Sequence, residues 1–240
     1  MAVRGTGGLQ ESRGRADKER VASYVPNPSL RAFRGTVGGL SFRRDGTVLP
    51  LARQRDPRTP LQLDARARMK LASEAWATLT PEEARSWRGY AELVASVGET
   101  SEGGRLLRAY DLFCGLACKR LQITEGLLFE RTAPGRLFSG DALVVEAEPG
   151  PGVVRFEANG PNGPFALTEL LLQPLKNANR QPQPDRYRTE AFVRFEPGAL
   201  VAEIEAAPGA YAAATRTVLE PTGQASRLVA LGVVVVSASQ

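Results

Sequence analysis

Residues 199–219 read ALVAEIEAAPGAYAAATRTVL. Apolar and polar residues alternate through Ala199–Ala206, a Pro-Gly pair interrupts, and a second run begins at Tyr211. Alternation of period two predicts strands with one buried face, and Pro208-Gly209 predicts the turn between them. Working outward, the same grammar covers the last hundred residues. Strand-like runs span 141–148 (DALVVEAE), 152–158 (GVVRFEA), 166–173 (ALTELLLQ), 188–196 (RTEAFVRFE) and 227–237 (RLVALGVVVVS). Clusters of Pro, Gly and Asn separate most of them. Seven short strands at this spacing predict a β-sandwich over residues 138–240.

Upstream the period changes to that of a helix. Thr59-Pro60-Leu61-Gln62 and Thr80-Pro81-Glu82-Glu83 both read as capping boxes with proline at the first helical position. Ala65, Met69, Ala72, Trp76 and Leu79 form one apolar stripe, and Ala84, Trp87, Ala91 and Val94 a second, closed by Gly98. Ser101 is the expected cap of a third helix with Leu106, Tyr110, Phe113, Ala117 and Leu121 inward. Short connections predict an antiparallel three-helix unit over residues 59–125. Trp76 and Trp87 are its expected core anchors.

Before the helices, residues 36–42 predict one strand, Arg43-Arg44-Asp45-Gly46 a turn, and residues 47–52 the returning strand. This hairpin and linker fill residues 34–58. Residues 1–33 are glycine-rich and too sparse in apolar side chains to bury a core, so they predict an extended basic arm. The fold class is therefore α+β multidomain: arm and hairpin, three-helix unit, and C-terminal immunoglobulin-like β-sandwich.

Charge follows the same division. Residues 1–60 hold 12 Lys and Arg against 5 Asp and Glu, while residues 126–240 hold 10 against 12. The formal charge of +5 thus belongs to the first quarter of the chain. A basic arm points to an acidic partner, protein or nucleic acid. Arg31, Phe33, Arg34, Phe42, Arg43, Arg44, Arg53, Arg55 and Arg58 are the candidate interface residues. Only two aromatics interleave these arginines, fewer than stacking on single-stranded nucleic acid favours.

The 240 residues contain no histidine and two cysteines. That excludes Ser-His-Asp and Cys-His nucleophile systems and histidine metal sites. Cys114 and Cys118, four apart on the third helix, predict buried free thiols rather than a disulfide or a metal site. Glu203 and Glu205 share a strand face and read as solvated. Asp185, Asn159 and Asn162 lie in loops without a calcium-loop spacing. No phosphate-loop or dinucleotide fingerprint occurs. No catalytic residue, metal or cofactor is expected, and the chain reads as a non-enzyme. Residues 1–20 lack the apolar core of a signal peptide, and no run is long enough to span a bilayer.

Two resemblances add to this reading. Residues 207–236, with Pro208-Gly209 before Tyr211 and a valine-rich last strand, resemble the final two strands of a fibronectin type III or related immunoglobulin-like domain. That resemblance implies a corner in which the Tyr211 hydroxyl bonds backbone just upstream. The departure is tryptophan: none follows Trp87. Residues 34–115 resemble small structural proteins of tailed phages and bacteria, through Arg58, Thr59, Pro60, Gln62, Trp76, Leu79, Thr80, Arg85, Trp87, Tyr90 and Ala91. This implies a virion or particle component, made in the cytoplasm, that contacts other structural proteins in multiple copies through its arm. Two alternatives stay open: a sandwich module that binds carbohydrate or a cell surface, and a nucleic-acid-binding protein that uses the arm.

Overall fold

The computed structural model describes residues 35–37, 40–42, 48–50, 58–98, 106–124 and 130–238. The chain divides into two compact units, Met1–Pro57 and Arg58–Gln240. In the first, β1 (Gly35–Val37), β2 (Leu40–Phe42) and β3 (Val48–Pro50) form an antiparallel sheet in that order. The expected returning strand is present, but the expected first strand is two. Val37 pairs with Leu40, so only Gly38-Gly39 separates β1 from β2. A run read for period-two alternation gives no mark of the reversal between them. The expected turn at residues 43–46 lies outside the described residues.

The second unit holds helices α1 (Pro60–Ala77), α2 (Pro81–Ser96) and α3 (Ala109–Ile123). Both capping boxes form. Thr59 Oγ1 accepts from Gln62 N at 3.4 Å, and Thr80 N donates to Glu83 Oε2 at 2.7 Å. Gly98 ends α2 at φ +76°, the left-handed conformation that glycine adopts without a Cβ penalty. Buried Ala72, Trp87, Tyr90, Val94, Phe113, Cys114 and Ala117 make the helical core. Three expected core positions are exposed instead: Ala65, Met69 and Leu106. A helical period identifies a face but not how far along it a neighbour runs. Ser101 lies outside the described residues, and α3 begins later than expected. There Arg108 grips Asp111 through two hydrogen bonds of 2.9 and 3.0 Å.

All seven expected strands of residues 138–240 are present: β4 (Val145–Gly150), β5 (Val153–Ala158), β6 (Ala166–Leu175), β7 (Arg188–Val193), β8 (Val201–Glu205), β9 (Gly209–Leu219) and β10 (Val229–Val236). They form two antiparallel sheets, one ordered β10-β9-β6-β7 and the other β4-β5-β8. One core joins the sheets. Val145, Val154 and Phe156 from the three-stranded sheet meet Leu170, Leu172, Ala213, Val234 and Val236 from the four-stranded one, with Phe195 between β7 and β8. Asn162 fixes the loop before β6: its Oδ1 accepts from Phe195 N at 2.8 Å and its Nδ2 donates to Thr168 Oγ1 at 2.9 Å. It is thereby committed to the fold rather than open to a cation.

The Tyr211 hydroxyl donates to Ala207 O at 3.0 Å, four residues upstream, as the resemblance implies. The bond lies at the surface, where water competes. Tyr211→Phe is therefore expected to lower stability by about 0.5–1.5 kcal/mol, read by urea unfolding. An unchanged midpoint sinks the corner assignment.

The helices and the sheets belong to one compact unit. The β9–β10 loop lies on α3 so closely that a Cβ on Gly223 (φ +73°) would sit 2.3 Å from Leu116 O. Next to it, the buried Gln224 side chain donates to the Tyr90 hydroxyl at 3.0 Å and to Arg136 O at 2.8 Å. Arg120 Nη1 donates to Pro221 O at 2.6 Å. Trp87 Nε1 donates to Arg131 O at 2.9 Å, and Arg131 in turn clasps Glu83 at 2.7 and 3.0 Å. That clasp, with the Thr80 N–H, holds the Glu83 carboxyl down at about 2.

Candidate functional site

Of the nine expected interface residues, only Phe42 and Arg58 fall among the described residues. Phe42 contributes backbone to β2 and pairs with Gly35 and Val48. Arg58 is exposed and holds φ +47° just before the Thr59 cap. Arg31, Phe33, Arg34, Arg43, Arg44, Arg53 and Arg55 lie outside the described residues. Trp87 is buried at 3% exposure and Trp76 is half-buried. Both touch the Phe113 ring, at centroid distances of 5.1 and 5.4 Å. Cys114 and Cys118 are free thiols, both pushed up by burial.

The most concentrated electrostatics were not anticipated from sequence. Glu169, in the middle of β6, is fully buried. Arg216 from the neighbouring β9 grips it with Nε at 2.5 Å and Nη2 at 3.0 Å. Lys119 reaches it from α3 at 2.9 and 3.1 Å, and the Thr189 hydroxyl donates to it from β7. Burial pushes the Glu169 carboxyl up, but the bonds from Arg216, Lys119 and Thr189 outweigh it and leave it below its ordinary value. Burial and the Arg216 charge push the Lys119 ammonium down. Two cations face one carboxylate. The surplus charge is met by the Phe192 ring, 5.4 Å from Lys119 Nζ, and by Gln122 Oε1 at 2.9 Å. Both carboxylate oxygens are already taken by donors, so Glu169 has no lone pair free to accept a substrate proton. Its chemistry is anchorage: it ties α3 to three strands.

A second feature is an open groove lined by Arg120, Thr124, Pro164, Phe165, Arg194, Glu220 and Pro221. Phe165 projects at 63% exposure and holds φ +59°. An aromatic residue in the left-handed region costs on the order of 1–2 kcal/mol. Its carbonyl accepts from Glu220 N at 2.8 Å, and Arg194 and Glu220 pair at 2.7 Å across the groove. No sequence signal marks this residue, because Pro164-Phe165 reads as an ordinary loop end.

The chain matches no protein-family model and no curated protein. Among the described residues, no three His, Cys, Asp or Glu side chains converge as a metal ion needs. Nor is any described helix long and apolar enough to cross a membrane. Glu203 and Glu205 stand exposed on the outer face of the three-stranded sheet, two residues apart on β8.

Proposed function

We propose that this protein is a non-enzymatic structural component of a phage-like particle, held to neighbouring subunits by its basic N-terminal segment. One observation carries the reading. The division into two units coincides with the division of charge: residues 1–57 carry 11 Lys and Arg against 5 Asp and Glu, and residues 58–240 carry 20 against 21. The first unit is cationic and the second near-neutral. Segregated charge of this kind serves association with an acidic neighbour.

The compact unit suits a spacer or projecting body. We read its two sheets as an immunoglobulin-like or fibronectin type III-like sandwich. Lettering the strands in chain order, β4, β5 and β8 take the places of A, B and E, and β6, β9 and β10 those of C, F and G. The extra strand β7 joins C, as C′ does in variable-type domains. The Tyr211–Ala207 bond supports the same reading.

Sedimentation of the purified full chain tests the assembly proposal. Species heavier than 25.8 kDa are expected at low salt and should dissociate as salt screens the contacts. A salt-independent monomer at all concentrations contradicts the proposal.

A second reading, a module for carbohydrate or a cell surface, draws on the strained and exposed Phe165 beside its groove. Retention of the protein on glycan-coated or cell surfaces, abolished by Phe165→Ala, is the result that favours it.

A further inference from the structure

The three-stranded sheet buries one face and exposes the other. The register places Glu146 and Glu148 of β4, Val153, Arg155 and Glu157 of β5, and Val201, Glu203 and Glu205 of β8 on the outer face. All but Val153 are exposed. Five carboxylates therefore share this face with one guanidinium. Glu146 and Glu157 stand directly opposite each other, a like-charge pair that costs stability on a sheet. Arg155 lies between Glu148 and Glu203, and its Nη2 is drawn to Glu157 Oε2 at 3.2 Å. Among the described residues, the remaining carboxylates have no other cation on this face. The concentration is local. Residues 126–240 as a whole hold 12 acidic against 10 basic residues, so without these six they would carry a surplus of positive charge.

The chain carries a complement to this surface. Residues 31–55 contain six arginines and a single acid, Asp45. The segment includes β1, β2 and β3, so the spacing match concerns the arginines after Pro50: residues two apart on an extended chain lie on one side, about 6.6 Å from each other. Arg53 and Arg55 have that spacing, and so do Glu146 and Glu148 on β4 and Glu203 and Glu205 on β8. Arginine forks match carboxylates bidentately.

We propose that the outer face of the β4-β5-β8 sheet is the docking surface for the arginine-rich segment 31–55 of a second copy of this chain. The choice of a second copy rests on the assembly reading above. Docking relieves the Glu146–Glu157 repulsion and neutralises a face of net −4 with a segment of net +5. Such a contact is heterologous, since each copy offers a face and a segment. It builds rings or filaments, or, where two copies exchange segments reciprocally, a two-fold dimer.

Charge reversal in full-length protein tests this. One variant carries Glu146→Lys, Glu157→Lys and Glu203→Lys; the other carries Arg43→Glu, Arg44→Glu, Arg53→Glu and Arg55→Glu. Circular dichroism melts check that both are folded. Wild type is expected to sediment as multimers at low salt, and each variant alone as the 25.8 kDa chain. An equimolar mixture of the two should regain the heavier species, because the intact segment of one meets the intact face of the other. If wild-type multimers persist after face reversal, the docking is wrong while assembly stands. If wild type is monomeric throughout, both readings fall. If the mixture stays monomeric, the segment docks elsewhere or within its own chain, and the proposal is overturned. Should the lysine variant fail to fold, Glu146→Gln, Glu157→Gln and Glu203→Gln together provide the check. Undiminished association in that variant equally overturns the proposal.

Discussion

Glu169→Gln is expected to destabilise the folded chain by about 3–5 kcal/mol, the largest effect of any single charged-residue substitution proposed for it. The carboxylate is fully buried, while Lys119 and Arg216 retain only 14% and 28% side-chain exposure. Removing its charge leaves both cations facing each other in a poorly solvated site, which costs far more than the pair contributes when intact. Urea unfolding with a constant m-value reads the change. The pH dependence has a definite sign. The folded-state value of Glu169 lies below the ordinary 4.5. Its contribution is complete above pH 4.5 and disappears as pH falls through the folded-state value. Wild type should therefore lose stability steeply on acidification, and Glu169→Gln should lose less. Equal acid sensitivity in the two proteins contradicts the role assigned to this centre.

Trp87→Ala is the second large effect, on the order of 3–5 kcal/mol. The indole is buried and packs edge-on against Tyr90 at 5.9 Å and Phe113 at 5.1 Å. Its Nε1 also ties the segment after α3 to α2 through Arg131 O. Truncation leaves a cavity and an unpaired carbonyl together. Trp76→Ala should cost less, because that ring is only half-buried. The order of the two, read by thermal or urea unfolding, is the check. A larger loss at Trp76 reverses the assignment of the helical core.

The elements with local chemical signatures were legible in sequence. Thr59 and Thr80 each carry both halves of a capping box, and both boxes form. Tyr211 after Pro208-Gly209 led, through the resemblance, to the hydroxyl bond to Ala207 O that the structure contains. What local patterns do not encode is pairing across distance. Glu169 makes its decisive contacts with residues 50 and 47 positions away. One clue was present: in ALTELLLQ the glutamate lies among leucines, and a strand buried on both faces has no solvent for a free carboxylate. The acidic sheet face was legible only at Glu203 and Glu205. Glu146, Glu148 and Glu157 join them through strand register, which no single strand specifies. Phe165 gave no signal: its positive φ accompanies a carbonyl bond to Glu220 N, 55 positions away. The exposure of Met69 and Leu106 escaped for a related reason: helical spacing placed both inward, but among the described residues both stand exposed, and Leu106 precedes α3.

Under the proposed function, this chain works as one copy among many in an assembly. The most direct test is the mass of the native complexes that contain it, taken from the cells that make it and measured without denaturation at low salt. Particles in the megadalton range that hold several copies of the chain are expected. Recovery of the protein solely as a 25.8 kDa monomer contradicts the proposal.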